Sequence, residues 1–185
     1  MGRLSGTMHP PTGGRVLWEN CNTTNDNWGF DSRAKRFKSG RGIVHMIVKA
    51  AAGGRNLLLN VGPLPSGRID SISTESLNET GAWLKANGES IYGTTSFRPV
   101  YYDNTFTTGR GDKVYLHLLD WKPAASCDLW QLSLANARRA YFLQSGEPVK
   151  FTHSHALGLR LSIRNTSPVR HRLRGPRNAR VQGVI

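Results

Sequence analysis

The chain is short of cysteine, of acid and of long apolar runs, and each shortage closes off a class of function. Cys21 and Cys127 are its 2 cysteines, far apart in sequence, with no C-x-x-C pair and no Cys/His cluster at ligand spacing. Neither a zinc site nor a redox dithiol is encoded, and both are expected to be free thiols. His153 and His155 alternate on a candidate strand without a third ligand and read as polar surface, so no metal is expected. No run of about 18 apolar residues occurs, which excludes a membrane-spanning helix. Acids number 12 against 25 Lys and Arg, a net charge of +13. None follows Glu147, whereas Arg160, Arg164, Arg170, Arg172, Arg174, Arg177 and Arg180 crowd the end. No aromatic residue that could stack on bases accompanies them, so a nucleic-acid partner is not expected, and residues 164–185 read as a basic tail without secondary structure. Length is short too: 185 residues cannot make an eight-stranded α/β barrel, which takes roughly 250.

What is present falls into two grammars. Val16, Leu17 and Trp18 suggest a short strand delivering Glu19 at its end. Ile43, Val44, Met46, Ile47 and Val48 then recur at helical spacing, and Gly53-Gly54 stops that helix, because glycine accepts the backbone a C-terminal cap needs. Asn56-Leu57-Leu58-Leu59-Asn60-Val61 is a continuous apolar run, as in a parallel strand covered on both faces. Asp70 and the hydroxyls after it offer a capped helix start, with Leu77, Gly81, Trp83 and Leu84 as its buried stripe. Strand, helix, strand, helix is the order of a parallel α/β sheet. From about residue 95 the pattern becomes short strands separated by Gly, Asn, Asp and Pro: Phe97–Tyr102, Lys113–Trp121, Ala140–Leu143, Val149–Thr152 and Leu157–Ile163, with Ser145-Gly146-Glu147-Pro148 as a hairpin turn. The expected fold class is α/β plus β, a partial (β/α)-barrel followed by a small antiparallel β-sandwich-like domain.

Chemistry concentrates in Trp18-Glu19-Asn20-Cys21 and Asn25-Asp26-Asn27-Trp28-Gly29-Phe30. A glutamate beside an indole can be held protonated near neutral pH, because apolar surface disfavours its charge. Glu19 is therefore either a proton donor or a hydrogen-bonding residue. Trp18 and Trp28 can each offer a flat face to a sugar ring or fill a core. Asp26 reads as a cap for the turn before Trp28, and Asn60-x-Gly62-Pro63 as loop architecture. Asn22, Asn78 and Asn165 each open an N-x-S/T acceptor for an N-linked glycan.

Four blocks together resemble the C-terminal portion of an α-L-fucosidase of glycoside hydrolase family 29: Trp18-Glu19-x-Cys21 with Asn25-Asp26-x-Trp28-Gly29-Phe30; Ile43-Val44-His45-Met46-Ile47-Val48; Gly53-Gly54-x-Asn56-Leu57-Leu58-Leu59-Asn60-Val61-Gly62-Pro63; and Gly81-x-Trp83-Leu84-x-x-Asn87-Gly88-Glu89-Ser90-Ile91-Tyr92-Gly93-Thr94. The resemblance implies residues 1–94 as the C-terminal part of a barrel catalytic domain and residues 95–163 as its antiparallel β-domain. It implies a retaining hydrolase that removes terminal α-L-fucose from oligosaccharides or glycoconjugates, without metal or organic cofactor. Retention uses two carboxyl groups about 5–5.5 Å apart, one a nucleophile and one a proton donor. By resemblance Glu19 is the proton donor and Trp18 and Trp28 are substrate-binding. The family's nucleophilic aspartate belongs to strands upstream of Met1, so the chain is expected to be a truncated form. Neither Asp26 nor Asp31 matches a nucleophile motif. The alternative is a non-catalytic carbohydrate-binding or structural fragment. Open parallel strands are expected to favour homo-oligomers.

Overall fold

A computed structural model describes residues 18–97, 104–120, 127–129, 137–154, 158–162 and 177–183. The first half runs β1 (Trp18–Thr23), α1 (Gly40–Ala52), β2 (Arg55–Asn60) and α2 (Ser71–Asn87), then a 3-10 turn over Gly88–Ser90. β1 and β2 pair in parallel, from Trp18 opposite Arg55 to Thr23 opposite Asn60. The expected alternation of strand and helix is present over 18–87. Val16 and Leu17 lie outside the described residues.

Local chemistry explains the boundaries of both helices. The Ser39 side chain accepts from the amide of Gly42, and α1 is closed by Gly53 donating to the carbonyl of Lys49 and Gly54 to that of Ala51. Gly54 follows at φ +67°, where a side chain would be strained. Asp70 starts α2 by accepting from the amide of Ser73 at 2.8 Å, so one of the orphan donors at the helix start is satisfied.

Two features of this half depart from expectation. The buried stripe of α2 is Ser73, Ser76, Thr80, Trp83 and Asn87, while Gly81 is exposed and Leu77 only half-buried. Small hydroxyl residues face α1 because the helices come close there: a β-carbon on Gly40 would stand 2.5 Å from Glu79 Cβ and 2.9 Å from the carbonyl oxygen of Ser76. β2 is not covered on both faces, since Leu58 is 45% exposed. With β1 as its partner in a two-stranded sheet, too little surface is packed against it to bury the whole leucine run.

The second half is antiparallel. β3 (Thr95–Ser96), β4 (Thr105–Arg110), β5 (Lys113–Leu118), β7 (Ala137–Phe142) and β10 (Arg177–Gly183) form one sheet in the order β3-β4-β5-β10-β7, and β6 (Cys127–Leu129), β8 (Lys150–Ser154) and β9 (Gly158–Ser162) form another in the order β6-β9-β8. Of the expected strand Phe97–Tyr102, residues 98–102 fall outside the described ones, as do Trp121, Leu157 and Ile163. The Ser145–Pro148 turn is present, with Gly146 at φ +71°, Phe142 donating to the carbonyl of Glu147, and Tyr141 bridging Pro148. The strands it joins belong to different sheets.

The expectation of an unstructured tail over 164–185 is corrected for 177–183. Arg177–Gln182 pairs antiparallel with Leu118–Lys113, and Ala179–Gly183 with Phe142–Ala137. β10 fills the gap between β5 and β7, each of which would otherwise present an open edge there. The pairing uses main-chain groups, which a charge count does not register.

The halves meet in one core. Val44 and Val48 of α1, Trp83 of α2 and Leu119 form a buried cluster, against which Leu84, Ile91 and Phe106 pack. Polar contacts cross the same junction. Glu89 accepts from Lys113 Nζ at 3.0 Å and from the Tyr115 hydroxyl at 2.9 Å, and Arg41 pairs with Asp120. His45 lies alongside, its Nε2 buried without a hydrogen-bond partner and 3.9 Å from Asp120 Oδ1.

Candidate functional site

The C-terminal ends of β1 and β2 carry the most organised loop of the first half. Thr23, Thr24 and Asn25 are buried polar residues, and all three spend their hydrogen-bonding groups on holding the loop. The amide of Thr24 donates to the carbonyl of Asn60, and that of Lys38 to the carbonyl of Thr24 at 2.7 Å. Lys38 Nζ reaches the carbonyl of Asn25 at 3.0 Å, and the Thr23 hydroxyl donates to the same carbonyl. Ser73, in the first turn of α2, donates to the Thr24 hydroxyl at 3.2 Å. The Asn25 side chain accepts from the amide of Asn27 at 2.9 Å, an Asx turn that aims the chain toward Trp28.

Beyond that base the loop presents aromatic surface. Trp28 is 59% exposed and Phe30 45%. Their backbone is fixed from β2: the Asn60 side-chain amide donates to the carbonyl of Trp28, and Gly62 lies so close to Gly29 that a β-carbon there would stand 2.5 Å from the Gly29 carbonyl carbon. Asn60-x-Gly62 is thus loop architecture, as its sequence suggests. The tip exposes two aromatic rings on a braced backbone, at the end of a parallel sheet where α/β folds build their sites.

Asp26 does not cap the turn. Asn25 does so, and Asp26 pairs with Arg36 Nε at 2.7 Å, both side chains exposed. Asp31 accepts from the amide and the Nε of Arg33 at 2.9 and 3.2 Å. The backbone hydrogen bond from Arg33, then its side-chain hydrogen bond, holds the Asp31 carboxyl below its ordinary value. Both aspartates brace the loop that carries them.

Glu19 is the second residue of β1, near the start of the strand and not at its end. Successive strand residues face opposite ways, so Glu19 shares a face with Cys21 and Thr23, and Trp18 points to the other. Cys21, a free thiol, lies with Sγ 3.8 Å from Glu19 Oε1. Glu19 is exposed and Trp18 is 41% exposed. Four residue steps along the strand separate Glu19 from Thr23, about 13 Å at about 3.3 Å per step. Glu19 and the Trp28 loop thus stand at opposite ends of β1. Among the described residues, no group of three or more His, Cys, Asp or Glu comes together that could hold a metal ion, and no helix is long and apolar enough to cross a membrane.

Of the clamp residues, Asn25 opens the Asn25–Phe30 motif, whereas Thr24 and Lys38 carry no catalytic signature in the sequence. A threonine directly after a strand and a lone lysine before a helix are shared by ordinary loops.

Comparison with known proteins bears on the same region. A family model described as alpha-L-fucosidase matches residues 5–89. The chain is 36% identical to the alpha-L-fucosidase of Branchiostoma floridae over 110 residues, 56% of this chain and 24% of that protein. It is 30% identical to human plasma alpha-L-fucosidase over 155 residues, 79% of this chain and 33% of the relative. Among solved structures, alpha-L-fucosidase isoenzyme 1 from Paenibacillus thiaminolyticus superposes with a TM-score of 0.80 at 26% identity, over 96% of this chain and 42% of that one. The chain therefore spans a quarter to a third of the length of these curated relatives.

Proposed function

Because the chain is an α-L-fucosidase family protein over part of that family's length, we propose that it contributes to the hydrolysis of terminal α-L-fucose from oligosaccharides or glycoconjugates. Residues 1–94 act as part of a (β/α)-barrel and 95–163 as a sandwich-like β-domain. The observation that carries this reading is the loop at the C-terminal ends of β1 and β2, where Asn60 and Gly62 hold the backbone at Trp28 and Gly29 and the Trp28 ring stands largely in solvent. An exposed indole on a fixed backbone is a good surface for the apolar face and methyl group of a deoxy sugar, since little loop freedom is lost on contact.

In this proposal Glu19 is the proton-donating carboxyl and Trp18 and Trp28 are substrate-binding. A proton donor must be desolvated enough to stay protonated near working pH. Glu19 stands exposed on β1, so it meets that requirement only when further surface lies against the strand, from additional chain or from a second copy docking on the open edge. The retaining reaction then needs a nucleophilic carboxylate about 5–5.5 Å from Glu19. Asp26 and Asp31 are committed to Arg36 and Arg33. Turnover by this chain alone is therefore slow, for want of the covalent route.

The separation of Glu19 from the Trp28 loop favours a second reading, in which the chain binds fucosylated ligands without cleaving them. A chromogenic fucoside and calorimetry with fucose distinguish the two. The first reading expects slow release that Glu19→Gln lowers by about 10²-fold or more, the usual size of a general-acid contribution. Equal release by wild type and Glu19→Gln removes Glu19 from the mechanism. Heat of binding that Trp28→Ala abolishes, without any release, establishes the binding reading.

A further inference from the structure

The N-x-S/T acceptors that the sequence carries are not equivalent once folded, and they play no part in the proposed hydrolysis. Asn22 sits within β1, half-buried and in register with Leu59, and its threonine, Thr24, is 1% exposed. Asn78 is exposed on the outer side of α2, at the rim of a groove of about 660 Å³ that Leu64, Arg68, Glu75 and Glu79 also line. A side chain there has solvent in front of it and open space beside it. Asn165 lies outside the described residues.

The Asn78 acceptor has an unusual division. Its asparagine faces water, but its threonine does not: Thr80 is 5% exposed. The Thr80 hydroxyl donates to the carbonyl of Ser76 at 2.8 Å and lies 3.4 Å from the carbonyl of Gly40, in the tightest part of the α1–α2 contact. A transferase that must engage both the amide and the hydroxyl finds only the amide once α2 has docked on α1. An acceptor helix is also closed to it locally, because the 78–80 backbone is held in α2.

We propose that Asn78 is an N-glycosylation site, modified before α2 packs on α1 and retained without cost afterwards. The co-reactant is an oligosaccharide joined through its anomeric carbon to a lipid diphosphate. The Asn78 Nδ2 attacks that carbon, a C–N bond forms as the C–O bond to the diphosphate breaks, the lipid diphosphate leaves with the bonding electron pair, and one amide proton passes to base. The glycan then covers the groove beside α2 and leaves the Trp28 loop at the sheet end untouched. Asn22 offers no such room: a chain that carries a sugar on this half-buried residue of β1 does not complete the fold and is lost from the folded product that the test reads.

The test is expression of the full chain through the secretory route of a glycosylating cell, with Asn165→Gln so that only Asn22 and Asn78 remain. Peptide N-glycosidase in ¹⁸O-water converts each occupied asparagine to labelled aspartate, which peptide mapping reads. Label at residue 78 and not at 22, together with loss of the gel shift in Asn78→Gln but not in Asn22→Gln, is expected. An unlabelled Asn78 overturns the assignment. The order of events is read separately, with bacterially made, folded chain and a synthetic 71–88 peptide offered to membranes that carry the transferase and its lipid donor. The peptide is expected to be modified and the folded chain not. Equal modification of both overturns the claim that folding closes the site.

Discussion

The side-chain amide of Asn60 donates to the carbonyl of Trp28, a residue 32 positions earlier. The bond ties the end of β2 to the aromatic loop that follows β1, and Gly62 completes the clasp by lying against Gly29. Nothing in this arrangement touches a reacting group. Its effect is to take conformational freedom from the loop before any ligand arrives.

That clasp makes Gly62→Ala the more damaging of two nearby substitutions. The added β-carbon would meet backbone atoms of Gly29 and Phe30 at 2.5–2.7 Å, and backbone cannot swing aside as a side chain can. The expected cost is about 1–3 kcal/mol, against about 0.5–1.5 kcal/mol for the hydrogen bond lost in Asn60→Ala. Thermal melts should separate them, at about 2–4 °C per kcal/mol for a chain of this size. Both variants should also speed protease cleavage between residues 24 and 33. A Gly62→Ala protein that melts with wild type would mean the loop is not held against β2.

The two helices give a paired prediction of opposite sign. Gly40→Ala forces α1 away from α2, because its β-carbon would fall 2.5 Å from Glu79 Cβ and 2.9 Å from a helix carbonyl; a loss of about 1–3 kcal/mol is expected. Gly81→Ala stands on the exposed side of α2 with nothing within 4 Å. It should stabilise by about 0.5–1 kcal/mol, since alanine has less backbone freedom to lose on entering a helix. Denaturant midpoints of the two variants should therefore move to opposite sides of wild type.

The contrast between these glycines also marks how far the sequence could be read. Helix α1, its end and the start of α2 were legible because Ile43, Val44 and Val48 recur at helical spacing and Gly53-Gly54 and Asp70 carry local stop and start chemistry. The buried face of α2 was not, because Ser76 and Thr80 are buried where α2 comes closest to Gly40 and Ser73 is buried against Thr24, tertiary reasons that apolar periodicity cannot register. Glu19 and Trp28 looked like neighbours in the sequence. The strand between them carries them to opposite ends. β10 was hidden for another reason: its arginines advertise solvent, whereas its place between β5 and β7 rests on main-chain pairing.

Asp26 offers a check on which carboxylates matter. It is ion-paired with Arg36, with both side chains largely in solvent, and exposed pairs contribute little, about 0–1 kcal/mol. Asp26→Asn should leave the melting temperature within about 2–3 °C of wild type. It should also leave any fucoside release or fucose binding unchanged. A large loss of either on this substitution would make Asp26 part of the site and not merely a brace of its loop.

The junction between the two halves should weaken in mild acid. His45 lies on α1 with Nε2 buried, and burial, more than any neighbouring charge, lowers its pKa from the ordinary 6.5. Asp120 acts in the opposite direction, while Arg41 and Lys49 add to the lowering. The folded chain therefore holds this proton less tightly than the unfolded chain does. As pH falls through about 6.5 the unfolded state takes up protons that the folded state refuses, and stability supplied by neutral His45 drains away below that point, being fully present above it. Melting temperature should fall between about pH 7.5 and about pH 5.5, and His45→Gln, which cannot titrate, should flatten that slope. Asp120→Asn removes the one charge that favours the protonated ring and should steepen it. If His45→Gln keeps the wild-type slope, the acid sensitivity belongs to another group and the ring is merely packed.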